Sequence, residues 1–320
     1  MLRPNSTVLS AIVLLALAVP ATARSELAWI PAVHNGTVTL VSFAPLRNIR
    51  SFAVEPRLGQ HVESALLTPD NRTLLLIDRQ LGRVVGVDLG DERSHWSVAV
   101  PEGPEAAWVT PDGRQLAVCA ERAGRVVYVD LVERRIIGSI RIDGPPPEDC
   151  AFSPDGRWLA LSHAGRSEVS IIDLRSGKLG ARVTTGGAPG AMTFTDDELW
   201  LAIPDRNHLE VVEVGRWTRS GEVAVGLRPV ALVAGSKGRR LFVANEASGT
   251  VSVIDQRGRR VLKTLAVGRS PAHLVLGTKQ AHLLVTDRRH ATLLSVDLAQ
   301  LKAERSLSLP HAPWGAVPQH

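Results

Sequence analysis

Apolar, largely β-branched positions recur along this chain in short runs, and each run closes on an acidic residue. The runs read Val-Val-Gly-Val-Asp88, Val-Val-Tyr-Val-Asp130, Val-Ser-Ile-Ile-Asp173, Glu-Val-Val-Glu213, Val-Ser-Val-Ile-Asp255 and Leu-Leu-Ser-Val-Asp297. Successive acids stand 42, 43, 40, 42 and 42 residues apart, and a degenerate seventh copy, Val38 to Ser42, precedes them. Runs of five or six such residues bounded by turn formers are strand signals. Several short strands inside a repeat of about 40 to 45 residues predict a β-propeller. The expected fold is therefore all-β: a seven-bladed β-propeller of four-stranded antiparallel blades.

The unit from Pro229 to Val267 shows one blade most clearly. Pro229 to Val233 reads as an innermost strand a, Arg240 to Asn245 as b, Thr250 to Asp255 as c, and Val261 to Val267 as d. The a–b turn is spelled Thr-Pro-Asp-Asn71, Thr-Pro-Asp-Gly113 and Ser-Pro-Asp-Gly156 in three consecutive units. Proline presets φ at the first central position of such a turn, and Gly or Asn accepts positive φ later. The chain starts mid-unit, with Leu27 to Val33 as strand b and Thr37 to Phe43 as strand c. It ends mid-unit too, with Pro313 to Val317 matching the strand a at Pro271 to Val275. Joining the last strand a to the first b, c and d closes a ring and removes two sheet edges. The recurring acids are expected to cap the c–d turns, and Trp158 and Trp200 on strands b to pack between blades.

The segment Leu241-Phe242-Val243-Ala244-Asn245 followed by Thr250-Val251-Ser252-Val253-Ile254-Asp255 resembles the repeat of the YVTN-type β-propeller proteins. The resemblance runs over nearly the whole chain after residue 23 and is strongest over 104–173 and 229–267. It departs in the first unit, which lacks the acid, and at Glu213, which replaces Asp. It implies an exported repeat protein without an assigned reaction, and one branch of that group accompanies pyrroloquinoline-quinone-dependent alcohol oxidation.

Residues 1–23 form a separate segment. Arg3, the apolar run Val8 to Val19 and Ala21-Thr22-Ala23 read as a cleaved signal peptide. Residues 24–320 are then the propeller, and the expected location is the periplasm. The run is too short for a comfortable membrane span and none follows it, so no transmembrane span is expected after cleavage. The formal net charge of +5 comes from arginines scattered among turns, without aromatic-interleaved basic stretches, which argues against nucleic acid.

In a propeller the d–a and b–c loops share one face, over the starts of strands a. Counting back six from each turn proline aligns Glu63, Glu105 and Glu148 in consecutive units. The same position holds Gly190, Val230, Ala272 and Trp314 elsewhere. His61 and Asp149 are expected nearby, with Asp78, Glu121 and His163 from b–c loops, and His273 aligned with Asp149. The expected ligand-binding set is Glu63, Glu105, Glu148, Asp149, His163 and His273. Its metal-ligating subset is His61, Glu63, Glu105, Glu148 and His163, because converging carboxylates and imidazoles suit a metal ion or a cationic group. Mutual repulsion among such carboxylates also raises a pKa. The plainer alternative is a solvated rim with Arg79, Arg122 and Arg166 as ion-pair partners.

The two cysteines, Cys119 and Cys150, fall on neighbouring blades toward one face. A disulfide, two buried thiols, and metal ligation with His163 or His61 all remain open. His95, His208, His282 and His320 read as turn or surface residues. No catalytic residue is assigned: nucleophile elbow, phosphate loop, His-Glu-X-X-His, Cys-X-X-Cys and Cys-X-X-Cys-His are all missing. No cofactor can be named. The leading expectation is a monomeric, non-catalytic periplasmic propeller that binds a small ligand, metal ion or partner protein at its channel mouth, with a possible place beside a periplasmic quinoprotein-type redox system. The alternative is a lactonase-like hydrolase, with Glu105, Glu148 and His163 at the mouth. A haem d1-type cofactor-handling propeller, with His61 or His273 as axial ligand, is the other alternative.

Overall fold

A computed structural model describes residues 26–32, 36–54, 62–92, 95–142, 147, 149–195, 197–235, 239–313 and 315–319. The expected leader, 1–23, lies outside the described residues, as do His61, Glu148 and Trp314. The chain forms seven four-stranded antiparallel sheets, and the one short helical turn described is the 3-10 segment Ala164–Arg166. Among the described residues no helix is long and apolar enough to cross a membrane.

Blade 1 is a composite. Its strands b, c and d are Leu27–Pro31, Thr37–Phe43 and Leu46–Ala53, and its inner strand is the C-terminal Val317–Gln319. Leu27, Ala28 and Trp29 pair with Gln319, Pro318 and Val317. Pro313, expected inside that strand, instead makes an isolated bridge to Ala32. The closing pairs therefore lie at the end of the expected segment and just beyond it. Blade 6 comprises Pro229–Ala234, Arg240–Asn245, Thr250–Asp255 and Arg260–Ala266, within one residue of the sequence reading.

Strands b and c are apolar along both faces because both faces are buried. In strand b of blade 2, Thr73–Asp78, Leu74 and Leu76 join an apolar cluster shared with blade 1. Leu75 and Ile77 join the cluster shared with blade 3. The two-residue period of a strand thus splits its side chains between two seams. Seven such clusters occupy the seven seams. Trp200 is fully buried in the seam between blades 5 and 6. Trp158 packs edge-on against Trp217, with ring centroids 5.0 Å apart. Strands a touch their neighbours in an unbroken circuit, which defines the central channel.

The recurring acids hold turns. Asp88 Oδ1 accepts the N–H groups of Gly90 and Asp91, and Asp130 Oδ1 those of Val132 and Glu133. These backbone donors lower both carboxyl pKa values. In the a–b turns, Thr68, Thr110 and Ser153 donate to Asp70, Asp112 and Asp155 two residues on.

Candidate functional site

The position that aligns Glu63 and Glu105 is a β-bulge. In blade 2 the pairing of strand a, Val62–Leu67, passes from Val62 to Ser64 and leaves Glu63 unpaired. In blade 3 the same skip in Pro104–Val109 lies between Pro104 and Ala107, a stretch that contains Glu105. Blades 6 and 7 bulge at Val230 and Ala272. A bulge gives one strand an extra residue and re-aims its side chain. Sequence alignment found the position, and the bulge gives it a physical meaning.

Arg79, just past strand b of blade 2, gathers the acids. Its Nη1 lies 4.0 Å from Glu63 Oε1 and 3.7 Å from Glu105 Oε1. Its Nη2 contacts Glu121 Oε1 across the seam to blade 3. The Glu121 side chain is 7% exposed and that of Glu105 15%, so two of these carboxylates are largely out of water. Glu105 Oε2 is buried and meets no N–H or O–H donor among the described residues. Burial, then the adjacent Glu121 carboxyl, then Asp149, push the Glu105 pKa strongly upward against the pull of Arg79. A proton or a cation between Glu105 and Glu121 relieves that repulsion.

Asp149 opens strand a of blade 4, Asp149–Phe152. Burial drives its carboxyl up to about 7. Backbone N–H groups of Cys150 and Met192 oppose the rise, and the charges of Glu121 and Glu63 add to it. His273, its counterpart in blade 7, is pushed down to about 4 by burial and by Arg288, so its imidazole is neutral at ordinary pH. Cβ at Gly315 would stand 3.2 Å from His273 Cγ, so this ring is packed tightly by the closing segment.

Several expectations fare differently. His163 is 5% exposed, and its Nε2 lies 3.0 Å from Ser170 Oγ on the next strand of its own blade. It ends strand b where Asp78 and Asp287 end theirs. Those two carboxylates accept N–H bonds from their own b–c loops. His282 is no surface residue: its side chain is 18% exposed and pairs with Glu26 at 2.9 Å. His208 likewise lies 3.4 Å from the fully buried Glu210, which also holds Arg219. Cys119 and Cys150 are joined as a disulfide across the seam of blades 3 and 4, with Cα atoms 6.8 Å apart. Sequence reasoning missed a cleft of about 500 Å³ over the a–b turns of blades 4 to 6, lined by Arg239, Arg257 and Arg259 beside Asp197 and Glu198. Its lining comes from unaligned turn residues, so the repeat gives no signal for it.

No protein-family profile matches the sequence, and no curated protein matches it. Solved structures do resemble the fold. Dihydro-heme d1 dehydrogenase NirN in complex with DHE is 15% identical at a TM-score of 0.70, covering 91% of this chain and 74% of that one. Hydrazine synthase of Kuenenia stuttgartiensis is 16% identical at 0.71, covering 82% and 90%. A functionally unknown protein from Desulfotomaculum acetoxidans is 17% identical at 0.75, covering 92% and 99%. At these identities the likeness shows the propeller fold alone.

Proposed function

We propose that this protein is an exported, non-catalytic binding propeller whose acidic channel mouth takes up a cationic group, either a divalent metal ion or an amine. One observation carries the reading: Glu105 Oε2 is buried beside the Glu121 carboxyl, without a donor among the described residues. Three carboxylates, Glu63, Glu105 and Glu121, share the guanidinium of Arg79, and the charges of Glu63 and Glu121 also act on Asp149. A cation at this spot replaces the proton that the acids otherwise need. Support for export comes from the leader-like segment 1–23 and from the disulfide, which belongs to oxidising compartments. A periplasmic place beside a quinoprotein-type redox system follows from the YVTN-type resemblance, with a protein partner as the natural client.

Calorimetric titration with Ca2+, Mn2+ and a primary diamine tests the reading. Wild type is expected to bind one of them, with affinity falling as protons compete at lower pH. A Glu63→Ala/Glu105→Gln variant should lose that binding. Equal binding by the double variant would overturn the proposal.

A second reading, handling of a d1-type haem, is favoured by one feature, the neutral, half-buried imidazole of His273. NirN, of similar fold, is described with DHE bound. Against it, the carboxylates of such a macrocycle would meet the acids around Arg79. A Soret band in protein from its native host would bring this reading forward. The hydrolase alternative would use His163, whose Nε2 lies 3.0 Å from Ser170 Oγ at the b–c end of blade 4.

A further inference from the structure

The face opposite the mouth carries a different constellation at the foot of blade 7. There His282 begins strand b, His282–Asp287, and Asp297 ends strand c, Thr292–Asp297, as its direct partner in register. Glu304 belongs to strand d, Lys302–Ser308. Pairing there steps from Ser295 with Arg305 to Val296 with Ala303, which leaves Glu304 as the extra residue of a bulge. One donor atom from each of His282, Asp297 and Glu304 falls within 4.8 Å of the others. Corresponding bulges of blades 3, 4, 5 and 6 present Ile137, Gly180, Ser220 and Leu262, none of them a carboxylate.

The histidine is held from behind. Glu26, its side chain 4% exposed, places Oε2 2.9 Å from His282 Nδ1. Its Oε1 accepts the N–H of Lys279 at 2.8 Å. A Cβ at Gly277 would come within 2.3 Å of Glu26 Oε1, so glycine leaves the space this carboxylate occupies. A buried carboxylate on Nδ1–H fixes the tautomer with its lone pair on Nε2 and raises the basicity of that nitrogen, the usual support behind a metal-bound histidine. Nε2 faces Glu304, 4.0 Å from Oε2. Asp297 Oδ1 is engaged by the N–H groups of Ala299 and Gln300, which anchors the carboxylate and leaves Oδ2 for a ligand. A cleft of about 440 Å³ reaches His282 and Asp297 from solvent and provides the access route.

We infer that His282 Nε2, Asp297 and Glu304 form a binding site for a Zn2+-class divalent ion, with Glu26 as the positioning residue behind the imidazole. One imidazole with two carboxylates suits such an ion, and three protein ligands leave a position for water. The site is separate from the acidic mouth. Because Glu26 immediately precedes strand b of blade 1, an ion here fastens the start of the ring to its last blade.

Titration of metal-stripped full-length protein with ZnCl2 alone, followed by calorimetry, tests this. Wild type should bind Zn2+ with a component that Glu304→Ala or Asp297→Asn weakens by tenfold or more. Glu26→Gln should weaken it by about 10- to 100-fold. Glu105→Gln, at the mouth, should leave this component intact, which separates its fate from that of the mouth. Glu304 is exposed, so Glu304→Ala should melt as wild type does in EDTA, showing that lost binding is not lost folding. Zn2+ should also raise the melting temperature of wild type and not of Glu304→Ala. Absence of Zn2+ binding, or binding unchanged in the Glu304→Ala/Asp297→Asn double variant, overturns the assignment.

Discussion

Arg79 and Glu121 stand 42 positions apart, one repeat length, and their side chains meet across the seam between blades 2 and 3. The same guanidinium reaches Glu63 in its own blade and Glu105 in the next. A residue repeated down the chain thus becomes a neighbour around the ring, and one cation serves acids from two blades.

Removing that cation leaves Glu105 and Glu121 facing each other, largely dehydrated. Arg79→Ala should cost on the order of 2 to 4 kcal/mol at pH 8, since stripping one partner from a buried ion pair strands the others. Urea denaturation of the two proteins reads the difference, and an unchanged midpoint would mean that Arg79 does not hold the acids together.

Asp149 links stability to pH with a definite sign. Its pKa rises from 3.8 unfolded to about 7 folded, so between these values the native state holds a proton that the unfolded chain has released. Its contribution is therefore complete below about pH 4 and is lost as pH climbs through 7, a change of at most about 4 kcal/mol. Asp149→Asn should flatten the decline in urea midpoint between pH 4.5 and 7.5. An unaltered slope would place the titration elsewhere.

The Cys119–Cys150 link closes a loop spanning 31 positions. Chain-entropy reasoning assigns such a loop about 3 to 4 kcal/mol of stabilisation. Alkylation under denaturing conditions should label neither cysteine before reduction and both after it. Reduced protein should melt several degrees lower; labelling without reductant would show free thiols.

Ring closure rests on a short segment. Deleting 310–320 removes the three pairs to Leu27, Ala28 and Trp29 and uncovers the buried Ala28 and Trp29. Truncation should lower stability by roughly 3 to 5 kcal/mol, the scale of large core deletions. Differential scanning calorimetry checks it. An unchanged melting temperature would mean that the inner strand of blade 1 does not hold the ring.

Much of this architecture was legible beforehand because a propeller blade is a local object. Its strands are contiguous, its turns are short, and its b and c strands are apolar on both faces, so Arg240–Asn245 and Thr250–Asp255 fall where the pattern put them. The alignment that picked out Glu63 and Glu105 had a structural cause, the bulge opening strand a. His282, read as a turn or surface residue, shows the limit, since its partner Glu26 lies 256 positions away and leaves no local signal.

What the amino-acid order determined alone is the repeat, and with it the strands, the turns, the seven-fold ring and the rows of equivalent positions, because those follow from alternation and turn chemistry within about 40 residues. Only the tertiary structure decided which acids lose their water, which hold a proton near pH 7, and which imidazole is backed by a buried carboxylate. Those properties arise from dehydration and from charges on other blades, and both come into being only when the circle closes.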